Sequence, residues 1–216
     1  YLLLFGNGTV DNLNILELGA NYIPTFQTHN SWNSGTSFTS DDFFGIMDDG
    51  EGNEATGVLD LAVGRFPVKN INEADMVIDK VMRYNKRFEA LDPNSSSIES
   101  ATHISNYADW RNMVCFIADD EDTNTHISQA DMLARTVDEN YPVYNIEKIY
   151  LDAFQQSNSA GGERYPQVNK AINQRVNLGA LLVNYTGHGG FNGLAKERIV
   201  TFSDIAIWNN YYNLPV

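Results

Sequence analysis

From Met113 onward the chain changes its hydrophobic period four times, and this alternation restricts the fold more than any other feature of the sequence. "MVCFIA" (113–118) is a short apolar run with strand character. Residues from about 127 to 140 carry helical spacing, 146–151 read as a second strand, and about 165–177 as a second helix that Gly179 stops. Residues 180–186, "ALLVNYT", form a third strand. The order βαβαβ predicts a mostly parallel sheet with helices on its faces. Ligands of such open sheets gather at the carboxyl ends of the strands. Two of those ends carry unusual residues, "ADDEDTNTH" (118–126) at the end of strand 113–118 and "YTGHGG" (185–190) at the end of strand 180–186, and the topology places them at one edge.

The first half is organised differently. Strand segments at 1–5, 23–28 and 58–63 are separated by Gly, Asn and Asp turns. A helix follows in "NINEADMVIDKVMRYNKRF", where Ala74, Val77, Ile78, Val81 and Met82 recur at i, i+3, i+4, i+7 and i+8. Glu73 stands in its first turn, and Lys80, Arg83, Lys86 and Arg87 crowd its last. The polar stretch "EALDPNSSSIES" then has the composition of a linker. The expected organisation is an α/β fold in two subdomains, 1–92 and 101–216, joined by a linker at 93–100.

Composition limits the function classes. With 43% hydrophobic residues among 216, the chain has material for a real core. Twenty-eight acidic against 14 basic residues give a net charge of -14, which disfavours binding to a phosphate backbone, so nucleic acid is not an expected partner. The single cysteine, Cys115, lies inside an apolar strand, where a sulfhydryl ordinarily packs, and one cysteine permits no internal disulfide. No run of about 18 apolar residues predicts a membrane span. The abrupt "YLLLFGNG" at the start and "NLPV" at the end are expected of a fragment cut at both ends, with the catalytic subdomain truncated at its C-terminal side.

Gly187, Gly189 and Gly190 surround His188 in a turn that allows close backbone approach and can present N–H groups to an anion. A histidine lodged there reads either as a proton shuttle or as a turn residue whose ring bonds a neighbour. His29, His103 and His126 lie in polar stretches without metal-ligand spacing, and there is no Gly-x-Ser-x-Gly elbow. The acids Asp119, Asp120, Glu121 and Asp122 admit three readings. They form a solvated loop whose end favours a helix N-terminus. Alternatively, Asp120, Asp122, Asn124 and Asp131 occupy places one, three, five and twelve of an EF-hand-like calcium loop, with Thr125 standing where Gly is needed. In the third reading, one carboxylate orients His188 as the third member of a triad. The four consecutive acids together with Asp41, Asp42, Asp48 and Asp49 also admit a calcium site. Near the end, "TFSDIAIWNN" reads as a helix start capped by Ser203 or Asp204.

"NYTGHGG" after an apolar strand, together with "LLLFGNG", "VGRFPV" before a helix ending in "KVMRYN", "CFIADDED…QAD", "RYPQVNKAIN" and "AKERIVTFSDI", resembles the gingipain family of cysteine peptidases over nearly the whole chain. Within that family the pattern is most similar to the sortase-like signal peptidases of type IX secretion.

The resemblance implies a caspase-like α/β catalytic domain with a His–Cys pair. The family histidine falls on His188. The nucleophilic cysteine follows the next strand, shortly after a "LP" matching Leu214 and Pro215, so it is expected beyond Val216 and Cys115 is not its substitute. Glu121 falls on the glutamate that helps orient the histidine, Asp131 on an aspartate lining a pocket for basic side chains, and the Gly189 amide on an oxyanion donor.

The implied function is removal of C-terminal secretion signals from cargo proteins at the outer-membrane cell surface, with transfer of cargo to a surface glycolipid. The alternatives are a secreted gingipain-like protease without transpeptidation and a non-catalytic, calcium-stabilised scaffold. No cofactor is required for the chemistry, calcium is an open ligand, and the expected partners are signal-bearing proteins and other secretion components.

Overall fold

The computed structural model describes residues 1–9, 11, 13–19, 21–30, 37–85, 108–159 and 161–210. The chain divides into two compact units, Tyr1–Met82 and Arg83–Val216. The expected linker at 93–100, with Pro93, lies outside the described residues, as do His103, Leu214 and Pro215.

In the first unit, β1 (Leu2–Phe5) pairs in parallel with a later strand, and β2 (Phe26–Gln27) with β3 (Thr39–Ser40) in antiparallel fashion. The partner of β1 is β4 (Val63–Phe66). It begins where the predicted 58–63 segment ends and contains Arg65, a residue no strand pattern favours. The Arg65 side chain is 9% exposed. Its Nε and Nη2 donate to the two carboxylate oxygens of Asp41, each at 2.7 Å, and Nη1 donates to the carbonyls of Gly6 and Ile23 at 2.8 and 2.9 Å. This bidentate bond, set against the opposing effect of burial, raises the guanidinium pKa further. Asp41 is thereby committed to Arg65. Helix α1 (Ile71–Asn85) follows, with Asn70 and Glu73 exchanging bonds around its start. The apolar stripe exists, but Ala74 and Val77 are only half-buried and Ile78, Val81 and Met82 are exposed.

The second unit begins within the last turn of α1. Tyr84 packs edge-on against Trp110 at 6.0 Å between centroids, and the Arg111 guanidinium sits 4.2 Å over the Tyr84 ring while donating to the Tyr84 carbonyl. Beyond this lies a three-stranded parallel sheet of β5 (Met113–Ala118), β6 (Asn145–Tyr150) and β9 (Leu182–Thr186), in the order β6-β5-β9. The central strand is buried on both faces, which explains its unbroken apolar run. Side chains alternate across a strand, so Cys115 and Ile117 join Ile149, Leu151, Val168, Ile172 and Val176 on one face. Val114 and Phe116 join Ala134 on the other.

The helices supply those partners. Helix α3 (Pro166–Leu178) turns Val168, Ile172 and Val176 inward at i, i+4, i+8, starts on Pro166 and ends on Gly179 in a φ of 89° that favours glycine. Helix α2 (Glu121–Asn140) presents Ala130 and Ala134, both fully buried, to the opposite face. Between β6 and α3, β7 (Ser157–Ser159) and β8 (Gly162–Arg164) form a small hairpin. After β9 come the two-residue strands β10 (Gly189–Gly190) and β11 (Gly193–Leu194), and then α4 (Phe202–Ile207). The cap of α4 is Thr201, not Ser203 or Asp204. Asp204 stands at the third helical position, where its Oδ2 accepts from the Thr201 amide at 2.7 Å and hydroxyl at 2.6 Å. No described helix is long and apolar enough to cross a membrane.

Candidate active site

The two unusual segments meet at the carboxyl edge of the parallel sheet, as the topology requires. Asp119, directly after β5, is fully buried and accepts bonds from both sides of the edge. Its Oδ1 accepts from the Glu121 amide and its Oδ2 from the His188 amide, each at 3.1 Å, while its own amide donates to the Thr186 carbonyl at 3.1 Å. The His188 carbonyl accepts from the Tyr185 hydroxyl at 2.6 Å and the Ala195 amide at 2.8 Å. Gly187 is needed because a Cβ there would lie 2.4 Å from Asp119 Cβ and 2.5 Å from the Tyr185 hydroxyl oxygen. The backbone of His188 is thus held on both sides while its side chain, 58% exposed, projects outward.

The ring is met by Asp122. His188 Nε2 lies 2.7 Å from Asp122 Oδ2, to which an N–H there donates. The bond and the charge of Asp122 raise the imidazole pKa above its ordinary value, and the bond to His188 lowers that of Asp122. His126 Nε2 stands 3.3 Å from the same carboxylate oxygen, and the two imidazoles meet edge to face at 4.9 Å between centroids. Asp122 and His126 are four residues apart, and the chain between them is not regular helix. Asp122, Thr123 and Asn124 all have φ between 56° and 61°, a left-handed turn that non-glycine residues seldom adopt in succession. Thr125 Oγ1 donates to the Asp122 carbonyl at 2.7 Å and Ser128 Oγ to that of Asn124 at 3.0 Å, bracing the turn.

This turn decides which acid faces the histidine. Glu121, the acid expected to orient the ring, extends instead toward Lys196, 3.8 Å away, and reaches His188 only as a minor long-range charge. Asp131 is drawn to the Lys148 ammonium at 2.6 Å and the Arg135 guanidinium at 2.9 Å; the bond to Lys148 chiefly lowers its pKa, against the opposing effect of desolvation. Asp120 accepts from the Tyr165 hydroxyl at 2.6 Å. Of the carboxylates in the EF-hand-like reading, Asp120 bonds Tyr165, Asp122 meets His188, and Asp131, within α2, pairs with Lys148 and Arg135, so they do not converge as the ligands of one such loop. Gly189 lies exposed in β10, opposite Leu194.

Cys115 is fully buried between β6 and β9, and burial, followed by the charge of Glu147, pushes its thiol up to about 12. A thiol so placed holds essentially no thiolate near neutrality and is not a nucleophile. Sequence reasoning underrated His126 and passed over Tyr185 and Glu197; a linear pattern offers no signal for any of them, since a left-handed turn and not helical spacing brings Asp122 beside His126. As it stands, the site can accept a proton on an imidazole whose basicity a carboxylate supports, beside a glycine-rich turn.

The chain matches the model of peptidase family C25 over residues 1–216 and belongs to that family, placing it among the cysteine-type peptidases. Its fold is similar to that in the crystal structure of the Arg specific cysteine proteinase gingipain R, with a TM-score of 0.51 and 20% sequence identity. That similarity covers 79% of this chain and 34% of the proteinase, so the chain spans about a third of that protein's length. No curated protein matches the chain.

Proposed function

We propose that this chain carries the histidine half of a His–Cys catalytic pair in a cysteine endopeptidase, with His188 as the proton-transfer residue and Asp122 as the carboxylate that supports it. The observation that carries this reading is the 2.7 Å contact between His188 and Asp122 on a loop whose backbone is tied down by Asp119, Tyr185 and Ala195. Such an imidazole takes the proton of a nearby thiol to give a thiolate–imidazolium pair, then returns it to the leaving amine. Gly189 is the proposed oxyanion donor. Glu121 adds long-range negative charge. The one cysteine among the 216 residues is buried, so in this proposal Cys115 is not the nucleophile that His188 serves.

Within the family, the proposed role is removal of C-terminal secretion signals from type IX cargo at the outer-membrane surface, as in PorU-like enzymes, with transfer of the cargo to a surface glycolipid. Asp131 supports this over selection of basic side chains, since Lys148 and Arg135 already neutralise the one acid expected to line a basic-residue pocket. The test uses the full-length protein and a signal-bearing substrate. His188→Ala should lower turnover on the order of 10²–10⁴-fold while leaving the fold intact. Asp122→Asn should lower it by a smaller factor, and Glu121→Gln by less still. Near-normal turnover in His188→Ala would reject the reading, and a larger loss in Glu121→Gln than in Asp122→Asn would reject the role given to Asp122.

A further inference from the structure

Behind the His188 loop lies a second group of acids that proton transfer does not use. Asp119, Asp120 and Glu197 each bring a carboxylate oxygen to within 4.8 Å of the others'. Asp119 is fully buried, Glu197 is 1% exposed and Asp120 is half-buried. The Asp119 oxygens face the amides of Glu121 and His188, Asp120 Oδ2 takes the Tyr165 hydroxyl, and Glu197 Oε1 faces Gln156 Nε2 at 3.3 Å. Glu197 Oε2 is buried with no hydrogen-bond partner. Among the described residues no basic side chain forms an ion pair with any of the three. Lys196, adjacent in sequence, turns outward to Glu163 at 3.0 Å and Glu121 at 3.8 Å.

Three converging carboxylates without a counter-charge are costly, and a buried carboxylate oxygen without a partner adds to that cost. We propose that Asp119, Asp120 and Glu197 form a binding site for a hard divalent cation, calcium being the best match. The donors are all oxygens, and calcium accepts such sets flexibly, with water completing six to eight ligands. The site couples directly to the histidine. Asp119 accepts from the His188 amide, and the Ala195 amide, two residues before Glu197, donates to the His188 carbonyl. A cation here clasps the end of β5 to the 195–200 turn and so fixes the loop that presents His188. The competing neutraliser is a proton on Glu197, whose pKa burial and the neighbouring acids raise when no cation is bound. This inference does not rest on the peptidase reading.

The test uses the metal-stripped full-length protein, titrated with terbium and, separately, with calcium. Tyr165, whose hydroxyl bonds Asp120, sits where a phenol sensitises a bound terbium ion. The expected result is tyrosine-sensitised terbium luminescence that excess calcium displaces. Calcium should also raise the melting temperature by about 5–10 °C relative to chelator, at about a hundredfold excess over the dissociation constant. Glu197→Gln should abolish both responses, while Tyr165→Phe should dim the luminescence and keep the calcium-dependent rise. Responses of wild-type size in Glu197→Gln, or none in the wild type, would overturn the site in favour of the proton. If Glu197→Gln fails to fold, Asp120→Asn decides: a calcium affinity at least tenfold weaker supports the site, and an unchanged affinity overturns it. Failure here leaves the His188 turnover test untouched.

Discussion

His188 and Cys115 show how environment separates two residues that composition alone would pair. The imidazole is exposed and touches a carboxylate, and the thiol is sealed in the central strand. Because Asp122 raises the His188 pKa, the ring in the folded chain should titrate above the ordinary value of 6.5. A raised folded-state pKa contributes stability that is fully present below about pH 6.5 and is lost as the pH rises through the folded value. NMR titration of the His188 ring is expected to show a fall toward 6.5 in Asp122→Asn and a smaller change in Glu121→Gln; an unmoved ring in Asp122→Asn would contradict the contact. For Cys115, a bulky thiol reagent should react with the unfolded chain and leave the native one unlabelled over the same interval. Rapid native labelling would mean that the β5 core opens far more readily than its packing indicates.

At the scale of elements, the short helix α4 depends on its first turn. Six residues propagate too few hydrogen bonds to persist alone, so the Thr201–Asp204 capping box and its tertiary bonds hold it. Asp204 Oδ1 accepts from Asn169 at 2.9 Å and Asn173 at 3.1 Å, joining α4 to α3. Burial alone pushes the Asp204 pKa up, but the bonds from Asn169, Thr201 and Asn173 outweigh it and bring it to about 2. A lowered folded-state pKa gives stability that is present above the unfolded value, about 3.9, and is lost as the pH falls toward 2. The stability difference between wild type and Asp204→Asn, from denaturant unfolding, should therefore be largest above about pH 5 and shrink as the pH falls toward 2. A difference constant with pH would refute the assignment.

For the whole molecule, a net charge of -14 implies self-repulsion that salt screens. The melting temperature should rise between about 10 and 150 mM sodium chloride, and the chain should not be retained on a nucleic-acid column at the lower concentration; a melting temperature that falls over this range would show that attractive pairs outweigh the net charge. The parallel sheet was legible because its strands and helices bury whole faces, and burial imposes a period on residues such as Val168, Ile172 and Val176. Strand β4 was legible only in part, since Arg65 interrupts the apolar pattern and is satisfied by Asp41 and by the carbonyls of Gly6 and Ile23, all distant in sequence. At the site, the sequence by itself determined that acids after β5 and His188 after β9 share one edge, since parallel strands place their carboxyl ends together. Only the tertiary structure decided that Asp122 meets the ring, that Glu121 turns to Lys196 and that Glu197 comes in beneath the loop. Those choices rest on a left-handed turn at 122–124 and on contacts between segments some 70 residues apart, which no local pattern encodes.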